Sequence, residues 1–137
     1  MKYFIDTNIF LEIILDQGKS REARAFLSKI ENHEFFMSDF SLHSIGILLF
    51  QQKQHAIFQL FLKDMIFNTV VVIISLSIND MPAVSNVSQR FNIDFDDAYQ
   101  YVIAEKYGLT IISFDSDFDR TERGRITPAK VLKGENM

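Results

Sequence analysis

The chain has no cysteine and no tryptophan, and only two prolines and five glycines among its 137 residues. Without cysteine there is no disulfide framework, no zinc held by thiolates and no thiol nucleophile. A reducing cytoplasm suits such a composition. Any bound metal would take oxygen or imidazole ligands. A membrane-spanning run is missing too: the longest apolar stretch, Val70 to Ile78, is much too short to cross a bilayer. The chain opens on a short apolar run that meets an acid, not on a basic then apolar leader, so no secretory signal is expected. Positive charge is scarce as well. Fourteen Lys and Arg against eighteen Asp and Glu leave a net charge of −4, which argues against a general polyanion binder, since nucleic-acid affinity comes mainly from cations neutralising phosphates. A nuclease stays open, because a clustered metal site supplies positive charge locally.

What is present reads as one soluble globular domain over residues 1–137. The 47% hydrophobic and 23% charged residues are enough for a proper core and too apolar for disorder, and fourteen Phe make that core aromatic. Strands and helices alternate. Lys2 to Ile5 is a short apolar strand, and 9–15 is helical up to the break at Asp16-Gln17-Gly18. Ser20 can cap a helix whose buried face is Ala23, Phe26, Leu27 and Ile30. Glu34 to Ser38 is a second strand, Leu42 to Phe50 an apolar helix, and 51–67 one amphipathic helix. Val70 to Ile74, β-branched throughout, reads as a central parallel strand. Residues 79–90 and Asp96 to Tyr107 read as helices, the latter stopped by Gly108. Thr110 to Phe114 is a strand and Ala129 to Leu132 a last, edge strand. This order predicts an α/β fold: a parallel sheet flanked by helices on both faces, with its crevice beyond the carboxyl ends of the strands.

Acids gather at those ends. Asp6 follows the first strand, Asp96 and Asp97 open a helix, and Asp115 and Asp117 follow the strand at 110–114. Converging carboxylates repel, and burying each costs several kcal/mol unless a cation or hydrogen bonds compensate. Hard oxygen ligands point to Mg²⁺ or Mn²⁺. Each acid also has a plainer role. Asp6-Thr7-Asn8 suits a turn or helix cap. Asp94 suits the N-cap of its helix, and Asp96 and Asp97 gain from the helix dipole. Asp115-Ser116-Asp117-Phe118-Asp119 has the oxygen spacing of a calcium loop but carries Arg120 at the sixth position and Ile126 at the twelfth, which excludes that reading. The argument rests on the acids sharing one edge of one sheet.

With those residues in view, the chain resembles the PIN-domain nucleases, especially the small VapC-like toxins of toxin–antitoxin pairs. The resemblance spans nearly the full length. It is carried by Tyr3-Phe4-Ile5-Asp6-Thr7-Asn8, by Asp97-Ala98 leading into the helix that holds Ala104, and by the run from Gly108 to Phe118. It implies a PIN-like α/β/α sandwich and a Mg²⁺- or Mn²⁺-dependent endoribonuclease in which Asp6, Asp97 and Asp115 or Asp117 hold the metal. Thr7, Asn8 and Ser113 match positions that orient those carboxylates. An RNA substrate, a cognate antitoxin and a homodimer paired through helices are expected with it; Ile45, Ile47, Leu48, Leu49, Phe50, Phe58, Phe61 and Phe67 exceed what a small sheet can cover.

One position departs. The toxins carry a Glu early in the helix after the second strand, and aligning Ser38 to Ile45 on that segment puts Ser44 there. Asp39 lies five residues upstream and reads either as an inward acid or as a helix N-cap. His43 reads as a metal or phosphate contact or, beside Leu42 and Ile45, as a hydrogen-bonded core histidine. Arg120, Arg123, Arg125, Lys130 and Lys133 give the last twenty residues a basic balance that suits an RNA backbone or a solvated surface. A haloacid dehalogenase phosphatase fails because Asn8 stands where its second Asp is needed. A response-regulator receiver fails because Val70 to Ile74 runs into Ser75 and Leu76 with no phosphoaccepting Asp. The remaining rival is a PIN-like RNA- or protein-binding module with a weakened or inactive site, which Ser44 supports.

Overall fold

A computed structural model describes residues 1–28 and 33–135; Ile30, assigned above to a buried helix face, lies outside them. Four parallel strands, β1 (Lys2–Ile5), β2 (Glu34–Ser38), β3 (Val71–Ile74) and β4 (Thr110–Ile112), form one sheet in the order β3-β2-β1-β4. The helices are α1 (Thr7–Ile14), α2 (Ser20–Ser28), α3 (Asp39–Gln51), α4 (His55–Phe61), α5 (Met81–Phe91), α6 (Phe95–Tyr107) and α7 (Pro128–Glu135).

Alternation along each strand divides the interior in two. Tyr3, Ile5, Phe35, Met37, Val71 and Ile112 point to the face covered by α1 to α4 and α7, where Phe10, Phe26, Ile45 and Leu49 complete the core. Phe4, Phe36 and Ile111 point to the opposite face, against α5 and α6 and the buried Phe118. Register keeps the faces aligned: Phe4 pairs with Ile111, and Ile5 with Ile112. Both faces are covered, so the sheet is a sandwich of helices around parallel strands, as the sequence predicts.

Several elements differ from that reading. Val70 to Ile74 is an edge strand, not a central one. Ile73 packs in one core and Ile74 against the other, while Val72 is half-exposed; an apolar run does not give strand order, which is decided by hydrogen-bonding neighbours. The helix expected over 51–67 is interrupted at 52–54, where Lys53 has φ of 56°, and α4 runs on into a π-helical segment over Leu62–Phe67. The strand expected at 110–114 stops at Ile112, and its neighbour beyond is a lone parallel bridge to Ile126. The expected edge strand at 129–132 is helix α7. Pro128 opens it and the Thr127 hydroxyl accepts from the Lys130 amide at 3.3 Å, a start signal at the sequence level. Gly108, with φ of 67°, ends α6 as expected and lets the chain turn directly into β4.

Candidate active site at the carboxyl ends of β1 and β4

Asp6 is the first residue after β1 and the N-cap of α1. Its backbone N–H donates to the Ile112 carbonyl at 3.0 Å, which seats it between the two strands. Its Oδ1 accepts from the Thr7 amide at 2.7 Å, and its Oδ2 from the Ser113 hydroxyl at 2.6 Å. The cap role and a place in the crevice are thus the same position. Asp6 is buried, and its carboxyl is raised above the ordinary value chiefly by that burial; hydrogen bonds from Ser113, Gln100 and Thr7 oppose the shift, and the charge of Asp115 adds to it.

Asp97, in the first turn of α6, is 6% exposed. Burial, reinforced by the charges of Asp6, Asp96, Asp115 and Asp117, pushes its carboxyl up to about 8. Asp115 caps the 3-10 turn Ser116–Arg120 by accepting from the Asp117 amide at 2.8 Å. Carboxylate oxygens of Asp97, Asp115 and Asp117 lie within 4.8 Å of one another, and so do those of Asp94, Asp96 and Asp97. Asp97 belongs to both groups. Asp94 and Asp96 are exposed; Asp94 occupies the N-cap position without a side-chain cap bond.

Ser113 connects these acids. Besides donating to Asp6, its hydroxyl accepts from the Asp115 amide at 2.8 Å and from Asn8 Nδ2 at 3.4 Å, while Asn8 Oδ1 accepts from the Phe114 amide at 3.3 Å. Thr7 Oγ1 pairs with Ser41 Oγ at 2.6 Å, tying α1 to α3. Ser44 is half-buried three residues after Ser41, hence on the same side of α3 as the residue that meets Thr7.

Other expectations change. Ser38, not Asp39, caps α3, accepting from the Ser41 amide at 2.9 Å. Asp39 instead accepts from the Tyr99 hydroxyl at 2.9 Å, and that hydroxyl in turn accepts from the Leu76 amide at 3.0 Å. His43 is exposed, not a core residue, and lines an apolar groove with Leu42, Gly46, Ile47, Phe50 and Phe58. Neither Asp39 nor His43 joins an acidic group among the described residues. The three arginines all engage protein acceptors: Arg120 meets Asp117 at 3.1 Å and the Asn92 carbonyl at 2.7 Å, Arg123 the Leu109 carbonyl at 3.1 Å, and Arg125 both Asp119 and the Ser113 carbonyl.

Sequence reasoning passed over Gln100. It is 2% exposed, hydrogen-bonds to Asp6, and its amide oxygen has no hydrogen-bond partner among the described residues. An amide on the buried stretch of α6, three residues after Asp97, was the available signal. The site therefore offers a set of hard oxygens, and the acids Asp6 and Asp97 among its donors have values raised chiefly by burial, with neighbouring negative charge adding to the shift. That donor set fits a divalent cation of the Mg²⁺ or Mn²⁺ kind.

The sequence profile of the PIN domain matches residues 3–124, and the chain belongs to that family. No curated protein matches it. Among solved structures it is similar to a toxin–antitoxin complex from Klebsiella pneumoniae, at 20% identity and a TM-score of 0.73 over 92% of this chain and 97% of that one. It is also similar to VapC20 of Mycobacterium tuberculosis, a toxin that cleaves the sarcin–ricin loop (17%, 0.76, 90% and 98%). A third is VapBC2 of Rickettsia felis bound to promoter DNA (17%, 0.67, 93% and 97%). At these identities the likeness is one of fold. No helix among the described residues is long and apolar enough to cross a membrane.

Proposed function

We propose that this chain is a divalent-metal-dependent endoribonuclease of the cytoplasm, the toxin of a toxin–antitoxin pair. The observation that carries the reading is the meeting of Asp97, Asp115 and Asp117, with Asp6 coupled to them through the Ser113 hydroxyl. Asp6, Asp97 and Asp115 would hold Mg²⁺ or Mn²⁺, with Asp117 beside them. When bound, such an ion polarises a phosphodiester oxygen and lowers the pKa of an attacking water.

The remaining work falls to the protein. Ser113 and the Thr7 amide fix the two oxygens of Asp6, so one carboxylate is held in a single orientation. Asn8 holds Ser113 and the Phe114 amide, and Asp96 adds negative charge at the mouth of the crevice. No side-chain nucleophile is needed; in-line attack by water leaves a 5′-phosphate and a 3′-hydroxyl. The substrate is single-stranded RNA or an RNA loop, whose bases can be splayed. That VapC20 cleaves the sarcin–ricin loop supports this choice. Arg120, half-exposed beside Asp117, and Arg123 are the proposed contacts to the RNA backbone.

A homodimer and an antitoxin complete the proposal. Ile45, Leu49 and Phe61 are core residues, but Ile47, Phe50 and Phe67 remain 60%, 51% and 73% exposed, and Ile47 and Phe50 line one apolar groove that a second copy of the chain would cover. A monomeric mass in solution scattering at tens of micromolar would count against pairing.

The second reading, a binding module with a weakened site, rests on Ser44. Mn²⁺ titration and cleavage of a broad RNA pool separate the two. The nuclease binds Mn²⁺ through Asp6 and Asp97, cuts with Mg²⁺ or Mn²⁺ and stops with EDTA. Absence of metal-dependent cutting in both the natural chain and Ser44→Glu favours the module.

A further inference from the structure

We infer that Arg125 is a positioning residue for the acidic site, holding the segment 113–119 in the shape that brings Asp115 and Asp117 to Asp97. The inference rests on the metal-site reading above. It reassigns Arg125 from the RNA backbone to the interior of the site.

Arg125 sits in the chain that returns alongside β4. Its neighbour Ile126 donates to the Ile111 carbonyl at 2.9 Å and accepts from the Ser113 amide at 3.2 Å, which fixes where the guanidinium starts. The side chain is 17% exposed, too enclosed to act as a free surface cation. All of its nitrogens are directed to one segment. Nε and Nη2 donate to the two oxygens of Asp119 at 3.1 and 3.2 Å, and Nη1 donates to the Ser113 carbonyl at 3.2 Å. A guanidinium is the side chain that can do this, because its planar fork meets a carboxylate with two parallel bonds and still has a donor left for a third acceptor.

What is gripped matters. Ser113 is fully buried; its amide is fixed by Ile126, its carbonyl by Arg125, and its hydroxyl serves Asp6 and the Asp115 amide. Asp119 lies at the far end of the same segment, on the 3-10 turn that carries Asp117. Arg125 thus spans the segment from Ser113 to Asp119, with both candidate ligands Asp115 and Asp117 between its two anchors. Without it the Ser113 carbonyl loses its donor and the turn loses its tether, while Asp6 and Asp97, held by β1 and α6, stay where they are.

The test measures Mn²⁺ binding to the full-length protein by calorimetry and by the electron paramagnetic resonance line shape of bound Mn²⁺, alongside thermal unfolding. Outer partners of metal ligands change affinity by about ten- to a hundredfold when removed. Arg125→Ala, which removes contacts to Ser113 and Asp119 and not to a ligand itself, is expected to weaken Mn²⁺ by about tenfold, the lower end of that range, and to broaden the bound-ion spectrum at temperatures where the fold is intact. Arg125→Lys, with the charge but not the fork, falls in between. Asp119→Ala gives a smaller loss, and adding it to Arg125→Ala gives none further. Natural affinity in Arg125→Ala, with or without a lower melting temperature, overturns the inference and makes the residue a fold brace only. If Arg125→Ala does not fold, Asp119→Ala decides by the same criterion. If the natural protein binds no Mn²⁺, the metal-site reading falls and the inference with it, a result distinct from binding that Asp97→Asn abolishes and Arg125→Ala leaves intact.

Discussion

The two halves of the sheet end very differently. Beyond β2 and β3 the polar groups are satisfied: Ser38 caps α3, Ser41 meets Thr7, and Asp39 and the Leu76 amide share the Tyr99 hydroxyl. Beyond β1 and β4, Asp6 and Asp97 are buried together with values pushed upward, and the Gln100 amide oxygen has no hydrogen-bond partner among the described residues. The strands and the covering helices are of the same kind in both halves. The contrast is the one the proposed metal site would produce, since crowded buried carboxylates with raised values gather where a cation is to be held.

The strongest way to break this comparison is Asp97→Asn. It is expected to weaken Mn²⁺ by more than about a hundredfold, beyond the loss of an outer partner, and to stop cleavage. The same change should stabilise the metal-free protein at pH 8. In the fold the Asp97 carboxyl titrates at about 8, above the ordinary 3.8, so the fold holds that proton more tightly than the unfolded chain does. The stabilisation is complete below 3.8 and is lost as pH rises toward about 8. Asn carries no such loss. Melting temperatures across that range in EDTA test the sign, and calorimetry in two buffers at pH 7 should show Mn²⁺ uptake releasing a proton.

Ser44→Glu sharpens the comparison from the quiet half. A fourth carboxylate on the side of α3 that meets Thr7 should tighten Mn²⁺ by about tenfold, since affinity follows ligand charge count. Unchanged affinity would mean that this side of α3 does not reach the acids. Asp39→Ala is expected to do least: Mn²⁺ affinity stays as in the natural chain, and stability falls by about 1 kcal/mol, the worth of the hydrogen bond from the Tyr99 hydroxyl. A large loss of metal binding there would dissolve the distinction between the halves.

Much of this layout is legible in the sequence because it depends on local signals. The Phe4-Ile5-Asp6 hand-over and the Gly108 stop are read within a few residues. Val70 to Ile74 shows the limit: an apolar pattern does not report which strands lie alongside, so an edge strand with a half-exposed Val72 reads as a central one. The 129–132 segment misleads because four mostly apolar residues are too few to tell a strand from a helix, while Thr127-Pro128, just upstream, starts a helix. Partners over a hundred residues apart, such as Asp6 and Ser113, are suggested by motif order alone. The Arg125 contacts could not be read at all: a basic tail looks the same in sequence whether it faces solvent or turns inward.

The register Tyr3 with Thr110 joins the beginning of the chain to a strand near its end, and the bridge to Ile126 lies later still. Loop closure of that span comes late in folding, since non-local pairing must wait for both partners. On the ribosome, β1 emerges with Asp6 long before the acids it must meet, and its permanent neighbour on that side does not yet exist. A chain interrupted before residue 110 carries Asp6 and Asp97 without Asp115 or Asp117 and cannot form the site. Under the proposed function, a product truncated before residue 110 would therefore have no activity.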